Sequence, residues 1–102
     1  MQIPFTQYLR PDARQKSVII DRPADIELKA QRLIDAGYIF ECEVLQTGEC
    51  SFTVERRGSD DEPIAMEVVP HGTGVPEAID RLVRIAADAH EWIQTHEERS
   101  CL

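Results

Sequence analysis

Hydrophobic and polar positions alternate at the start of the chain. Residues 3–10 carry Ile3, Phe5, Thr6, Tyr8 and Leu9, a β-forming run that predicts a strand. Arg10-Pro11-Asp12-Ala13 follows, with proline where a type I turn accepts it. Ser17 to Asp21 predicts the return strand of a hairpin. The period then changes. Ile26, Ala30, Leu33 and Ile34 recur at helical spacing behind Pro23, with Asp25 and Glu27 near the positive end of the helix dipole. Gly37 supplies a left-handed stop, so a helix is expected from Pro23 to Ala36.

Alternation resumes from Tyr38 to Leu45, with Tyr38, Phe40, Cys42 and Val44 on one face and Glu41 and Glu43 on the other. Gln46-Thr47-Gly48 reads as a three-residue hairpin loop leading into a strand from Glu49 to Arg57. That loop sets Val44 opposite Cys50, Cys42 opposite Phe52 and Phe40 opposite Val54, which matches the apolar faces. Gly58 to Asp61 predicts a turn. Glu62 to Val69 predicts another strand, with Ile64, Met66 and Val68 on its apolar side. Pro76 opens a long helix to about Glu98, roughly 34 Å at 1.5 Å per residue.

The expected order is ββαβββα. Strands joined by short turns predict an α+β fold, an antiparallel sheet of about five strands with two helices packed on one face. The length of 102 residues corresponds to a single domain over 1–102. The last helix carries two apolar stripes. One runs through Ile79, Leu82, Val83, Ala86, Ala89 and Ile93, the other through Ala78, Leu82, Ile85, Ala89 and Trp92. That exceeds what one contact face requires. The helix also outreaches a six-residue strand of about 20 Å. Its later turns, with Ile85, Ala89, Trp92 and Ile93, therefore predict a homodimer interface. The competing reading has the tail or the hairpin of residues 3–21 fold over them.

Charge narrows the function classes. Lys and Arg number 11 and Asp and Glu 19, a formal net charge of −8. Residues 52–102 contribute 5 basic and 11 acidic groups, so −6 of it lies there. Phosphate backbones and anionic membranes are bound through basic charge, and no basic run exists beyond Arg56-Arg57. Neither nucleic acid nor membrane is expected as a partner. No segment resembles an export signal or a span, and Cys42, Cys50 and Cys101 make an odd number. Reduced thiols and a cytoplasmic location are the expectation.

Catalytic motifs do not assemble. His90 and His96 are six apart, and Gln94 stands where a zinc-binding helix needs its second histidine. Neither metal nor cofactor is expected. Cys42 and Cys50 are diagonal neighbours in apolar slots, which fits inert thiols better than a disulfide. Gly72-Thr73-Gly74 lacks the lysine of a phosphate loop. The most suggestive set is Glu41, Glu43, Glu55 and Glu67. Alternation places all four opposite Phe40, Val54 and Met66, with Ser51 and Thr53 between them. This is a solvated sheet face, a docking surface for a basic protein, or a carboxylate acid–base pair.

The opening Ile3-Pro4-Phe5-Thr6-Gln7-Tyr8-Leu9-Arg10-Pro11-Asp12 resembles that of a family of small uncharacterised proteins of bacteria and their phages. So does Asp21-Arg22-Pro23-Ala24-Asp25-Ile26-Glu27 leading into Ala36-Gly37-Tyr38. The resemblance implies no activity and no catalytic residue. Residues 23–98 also follow the α-β-β-β-α order of double-stranded-RNA-binding domains. Those domains begin their last helix with basic residues, whereas Pro76-Glu77-Ala78-Ile79-Asp80 is acidic. The expectation is an interaction or accessory protein rather than an enzyme, phage-derived or host, working through protein–protein contacts. The alternative is a small-molecule-binding or enzymatic domain with a pocket near His71.

Overall fold

The computed structural model of the chain describes residues 2–9, 14–56, 62–70 and 73–100. Five strands and two helices follow in the order β1 (Ile3–Leu9), β2 (Arg14–Ile20), α1 (Ala24–Asp35), β3 (Tyr38–Val44), β4 (Cys50–Arg56), β5 (Ala65–Val69) and α2 (Val75–Ser100). This is the expected α+β order. The expected turns at Arg10-Ala13 and Gly58-Asp61 lie outside the described residues.

The sheet order is β2-β1-β3-β4-β5. It is mixed, which corrects the antiparallel expectation. β1 pairs antiparallel with β2 but parallel with β3, through Thr6↔Glu41 and Tyr8↔Glu43. The reason lies in α1. Ile3 pairs with Ile20, so β1 begins where β2 ends, and β3 begins at that same end. Only three residues precede α1 and two follow it. Both ends of a helix about 18 Å long must therefore stay near one end of the sheet, and α1 crosses the strands instead of running along them.

The β3–β4 pairing is the one expected: Phe40↔Val54, Cys42↔Phe52 and Val44↔Cys50. Its loop closes with Leu45 N–H to Glu49 O at 2.8 Å and Gly48 N–H to Leu45 O at 2.9 Å. Gly48 has φ 89°, the left-handed position that a glycine fills without steric cost. β2 starts at Arg14 instead of Ser17, and β5 at Ala65 instead of Glu62. Pro23 caps α1 one position ahead of its first turn, its carbonyl accepting from the Ile26 and Glu27 N–H groups.

β5 has the opposite phase to that expected. Ala65 and Val69 are buried, while Met66 and Val68 are 55% and 43% exposed. The register explains this. Ala65 pairs with Val54 and Glu67 with Phe52, so the odd-numbered residues face the helices. Ala65-Met66-Glu67-Val68-Val69 is apolar in both phases, and pairing with β4 decides between them.

The core lies between the sheet and the two helices. Ile3, Phe5, Tyr38, Phe40, Phe52 and Val54 rise from the strands. Ile26, Ala30 and Leu33 come from α1, and Ala78, Ile79, Leu82, Val83 and Ala86 from α2. The helices are joined by an ion pair. Arg22 donates from Nε and one terminal nitrogen to both Asp80 carboxylate oxygens, each at 2.8 Å. Glu27 turns back to accept the Arg22 N–H at 3.4 Å, which steadies the residue from the α1 side.

This bidentate pair is partly shielded and holds the Asp80 carboxyl below the usual aspartate range, by its hydrogen bonds with Arg22 first. A lowered folded value stabilises the protein above the usual aspartate range, and the gain is lost as pH falls through the lowered value. Asp80→Asn is expected to cost about 1 kcal/mol at neutral pH. The difference from wild type should shrink on acidification below about pH 4, as read by urea unfolding at each pH.

Candidate functional site

With both helices on one side, alternation sends every second side chain of each strand to the uncovered face. Glu41 and Glu43 stand there on β3, seven or so ångströms apart as i and i+2 neighbours. Across from them on β4 lie Thr53 and Ser51, and Glu55 pairs with Ile39 one step along. Thr6 of β1 adjoins Glu41 on the other side. The centre of the face is thus three carboxylates among three hydroxyls, all half-buried. Its margins are apolar, with Met66 and Val68 on β5 and Ile19 on β2.

Glu55 and Glu41 are diagonal neighbours and share a hydrogen bond. Partial burial, then the Glu41 hydrogen bond and charge, push the Glu55 carboxyl above its usual range. A shallow depression of about 50 Å³ lies between Glu41, Glu43, Ser51 and Thr53. It can seat one or two polar atoms of a ligand, not a whole small molecule.

Glu67 does not belong to this set, because of the β5 register. It lies on the helix side and accepts the Arg81 Nε–H of α2 at 3.1 Å. The expected platform of four is therefore a platform of three. A signal for this was present in the sequence, since Arg81 offers a cation to any carboxylate that β5 turns toward α2.

The last helix divides as its stripes predict in its first half. Ala78, Ile79, Leu82, Val83 and Ala86 are fully buried. Beyond them the second stripe emerges. Ile85 is 47% and Trp92 61% exposed, while Ala89 and Ile93 are half-buried. The 3–21 hairpin does not cover them, because β2 and β1 occupy the far side of the sheet from β5. Trp92 stacks on His96 with ring centroids 3.7 Å apart. His90 takes the packed flank. Its Nδ1 lies 3.2 Å from the Tyr38 hydroxyl and its ring meets Tyr38 edge-on. Both histidines are thus engaged within the chain, and among the described residues no group of three His, Cys, Asp or Glu converges as metal ligands.

Cys42 and Cys50 line an apolar cleft of about 180 Å³ with Val18, Ile20, Val44 and Phe52. Both are thiols, Cys42 buried and Cys50 half-buried, so the burial expected of the second is only partial. Burial first, and the neighbouring Cys50 second, push the Cys42 thiol up to about 11. A larger cleft of about 380 Å³ runs past Pro4, Thr6, Ile34, Tyr38 and Ile39, with no charged group among the described residues that line it. His71, the centre of the alternative pocket, lies outside the described residues, as does Cys101. No described helix is long and apolar enough to cross a membrane.

No family model, curated protein or solved structure matches the chain.

Two outcomes follow from these environments. Glu55→Gln replaces a like-charged diagonal pair with a carboxylate beside a neutral amide that can donate to it. The raised folded value of Glu55 means that stability falls as pH rises from the usual glutamate range through that value. The substitution is expected to add about 0.5 kcal/mol at pH 7 and nothing at pH 4, measured by urea unfolding. Cys42 is expected to resist alkylation. Iodoacetamide at neutral pH should label it at least tenfold more slowly in the folded protein than after denaturation, as read by peptide mass spectrometry.

Proposed function

We propose that the protein is an interaction protein whose uncovered sheet face docks a basic protein partner. The observation that carries this reading is the Glu41, Glu43 and Glu55 cluster at the centre of an open face. A row of carboxylates flanked by apolar margins has the anatomy of a charged recognition patch. Lysine or arginine side chains would meet the acids, and aliphatic groups would meet Met66, Val68 and Ile19. The Glu41–Glu55 hydrogen bond fits the same reading. A cation seated between the two carboxylates would offset their mutual repulsion and favour the ionised form of Glu55.

A reducing compartment is part of the proposal, supported by the two unbridged thiols.

The test separates a patch from bulk charge. An arginine-rich peptide is titrated into the labelled protein and followed by NMR. The shifts are expected to centre on Glu41, Glu43, Thr53 and Glu55, and to weaken as salt rises. The triple variant Glu41→Gln, Glu43→Gln, Glu55→Gln should bind at least tenfold more weakly. The triple variant Glu77→Gln, Asp88→Asn, Glu91→Gln removes the same charge from α2 and should bind as wild type does. Equal loss in both triples would reduce the effect to net charge and overturn the proposal.

A further inference from the structure

Two exposed apolar features, Met66 with Val68 on β5 and Ile85 with Trp92 on α2, lie on the same lateral edge. β5 ends the sheet, with β4 on one side only. α2 packs on β5 and β4 and, on its other flank, on α1. Asp80 marks the α1 flank, where it holds Arg22. Arg81, about 100° further round the helix, reaches Glu67 on β5 and marks the opposite flank. Ile85 is one turn beyond Arg81, and Trp92 two turns beyond Ile85. Both exposed side chains therefore leave α2 beside the outer edge of β5, above exposed Met66 and Val68 on the same strand.

We propose that this edge pairs with a second copy of the chain about a two-fold axis passing beside Glu67 and Ile85. The strand is self-complementary. Antiparallel pairing centred on Glu67 places Met66 against the partner's Val68 on the uncovered face, and Ala65 against the partner's Val69 on the helix side. Lysine and proline are absent from Ala65–Val69, and its one charge, Glu67, points toward the helices and is matched by Arg81.

The helix layer fits the same axis. Strands are about 4.8 Å apart, so a helix over the β4–β5 pair sits about 2.4 Å inside β5, and the axis lies about 2.4 Å outside it. The two copies of α2 then run antiparallel about 10 Å apart, the distance at which helices pack. Ile85 meets the partner's Ile85 at the axis, and Trp92 falls beside the first turn of the partner's α2. Charge agrees as well. Residues 81 and 88 share one flank of the helix, and around an axis at Ile85 each Arg81 lies next to the partner's Asp88. The two Glu67 carboxylates that meet at the axis are each already matched by an Arg81.

This pairing leaves Glu41, Glu43 and Glu55 unused, so its failure is separate from failure of the docking proposal. Light scattering at tens of micromolar is the test. Wild type is expected at twice the chain mass of 11.6 kDa. Ile85→Asp should halve that mass with an unchanged circular dichroism spectrum. Val44→Asp, an equally exposed position on β3 away from this edge, should remain a dimer. Asp88→Arg, exposed and distant from the core, sets like charge against the partner's Arg81 and should weaken association at least tenfold. It decides the matter if Ile85→Asp unfolds. A single-chain mass for wild type, a dimeric folded Ile85→Asp, or unchanged association in Asp88→Arg overturns the proposal.

Discussion

Phe5 meets Phe40 edge-on with ring centroids 5.3 Å apart and meets Phe52 in the same manner at 5.8 Å. These three rings stand on β1, β3 and β4, the middle of the sheet, and all point to the helix side. Edge-to-face contacts of this kind add about 0.5–1.5 kcal/mol each to the area they bury. They also fix a parity. Once these rings are inside, the residues between them on each strand must face away from the helices. Glu41, Thr53 and Thr6 are side by side because Phe40, Phe52 and Phe5 are. The acidic face follows from the core.

A second constraint orders the helix layer. α1 lies across the strands, and Arg22 at its entry grips Asp80 five residues after α2 begins. At the other end of the buried stretch of α2, His90 meets Tyr38, the first residue of β3. Arg56 lies over the same tyrosine ring at 5.6 Å. α2 is thus held at two points along its length, one polar and one aromatic. Its rotation is fixed, and with it the flank that shows Ile85 and Trp92.

Much of this was legible in the sequence because local chemistry decided it. Gln46-Thr47-Gly48 sets the β3–β4 register, and with it Glu41, Glu43 and Glu55 as neighbours. Ile26, Ala30 and Leu33 set the buried face of α1. β5 was misread for a physical reason. Ile64, Met66 and Val68 outweigh Ala65 and Val69 in any count of apolar positions, yet pairing with Val54 and Phe52 places the smaller set inside. Glu67 moved with them. The parallel β1–β3 contact was hidden for a different reason. It depends on where α1 begins and ends relative to the sheet, and no run of residues records that.

The parallel pair has a consequence for the order of assembly. β3, β4, β5 and α2 follow one another along the chain and pack as neighbours, so their contacts close short loops. β1 meets β3 only across a separation of 41 − 6 = 35 residues, at Thr6 and Glu41. Closing such a loop costs roughly 3 kcal/mol of chain entropy before any contact compensates it. The hairpin of β1 and β2 can form by itself, but it has no apolar surface to settle on until Phe40 and Phe52 are aligned. The C-terminal two-thirds of the chain therefore acts as a template, supplying the apolar surface on which the N-terminal hairpin docks. Nascent chains on a ribosome would emerge in the reverse order, with the dependent piece made before its template.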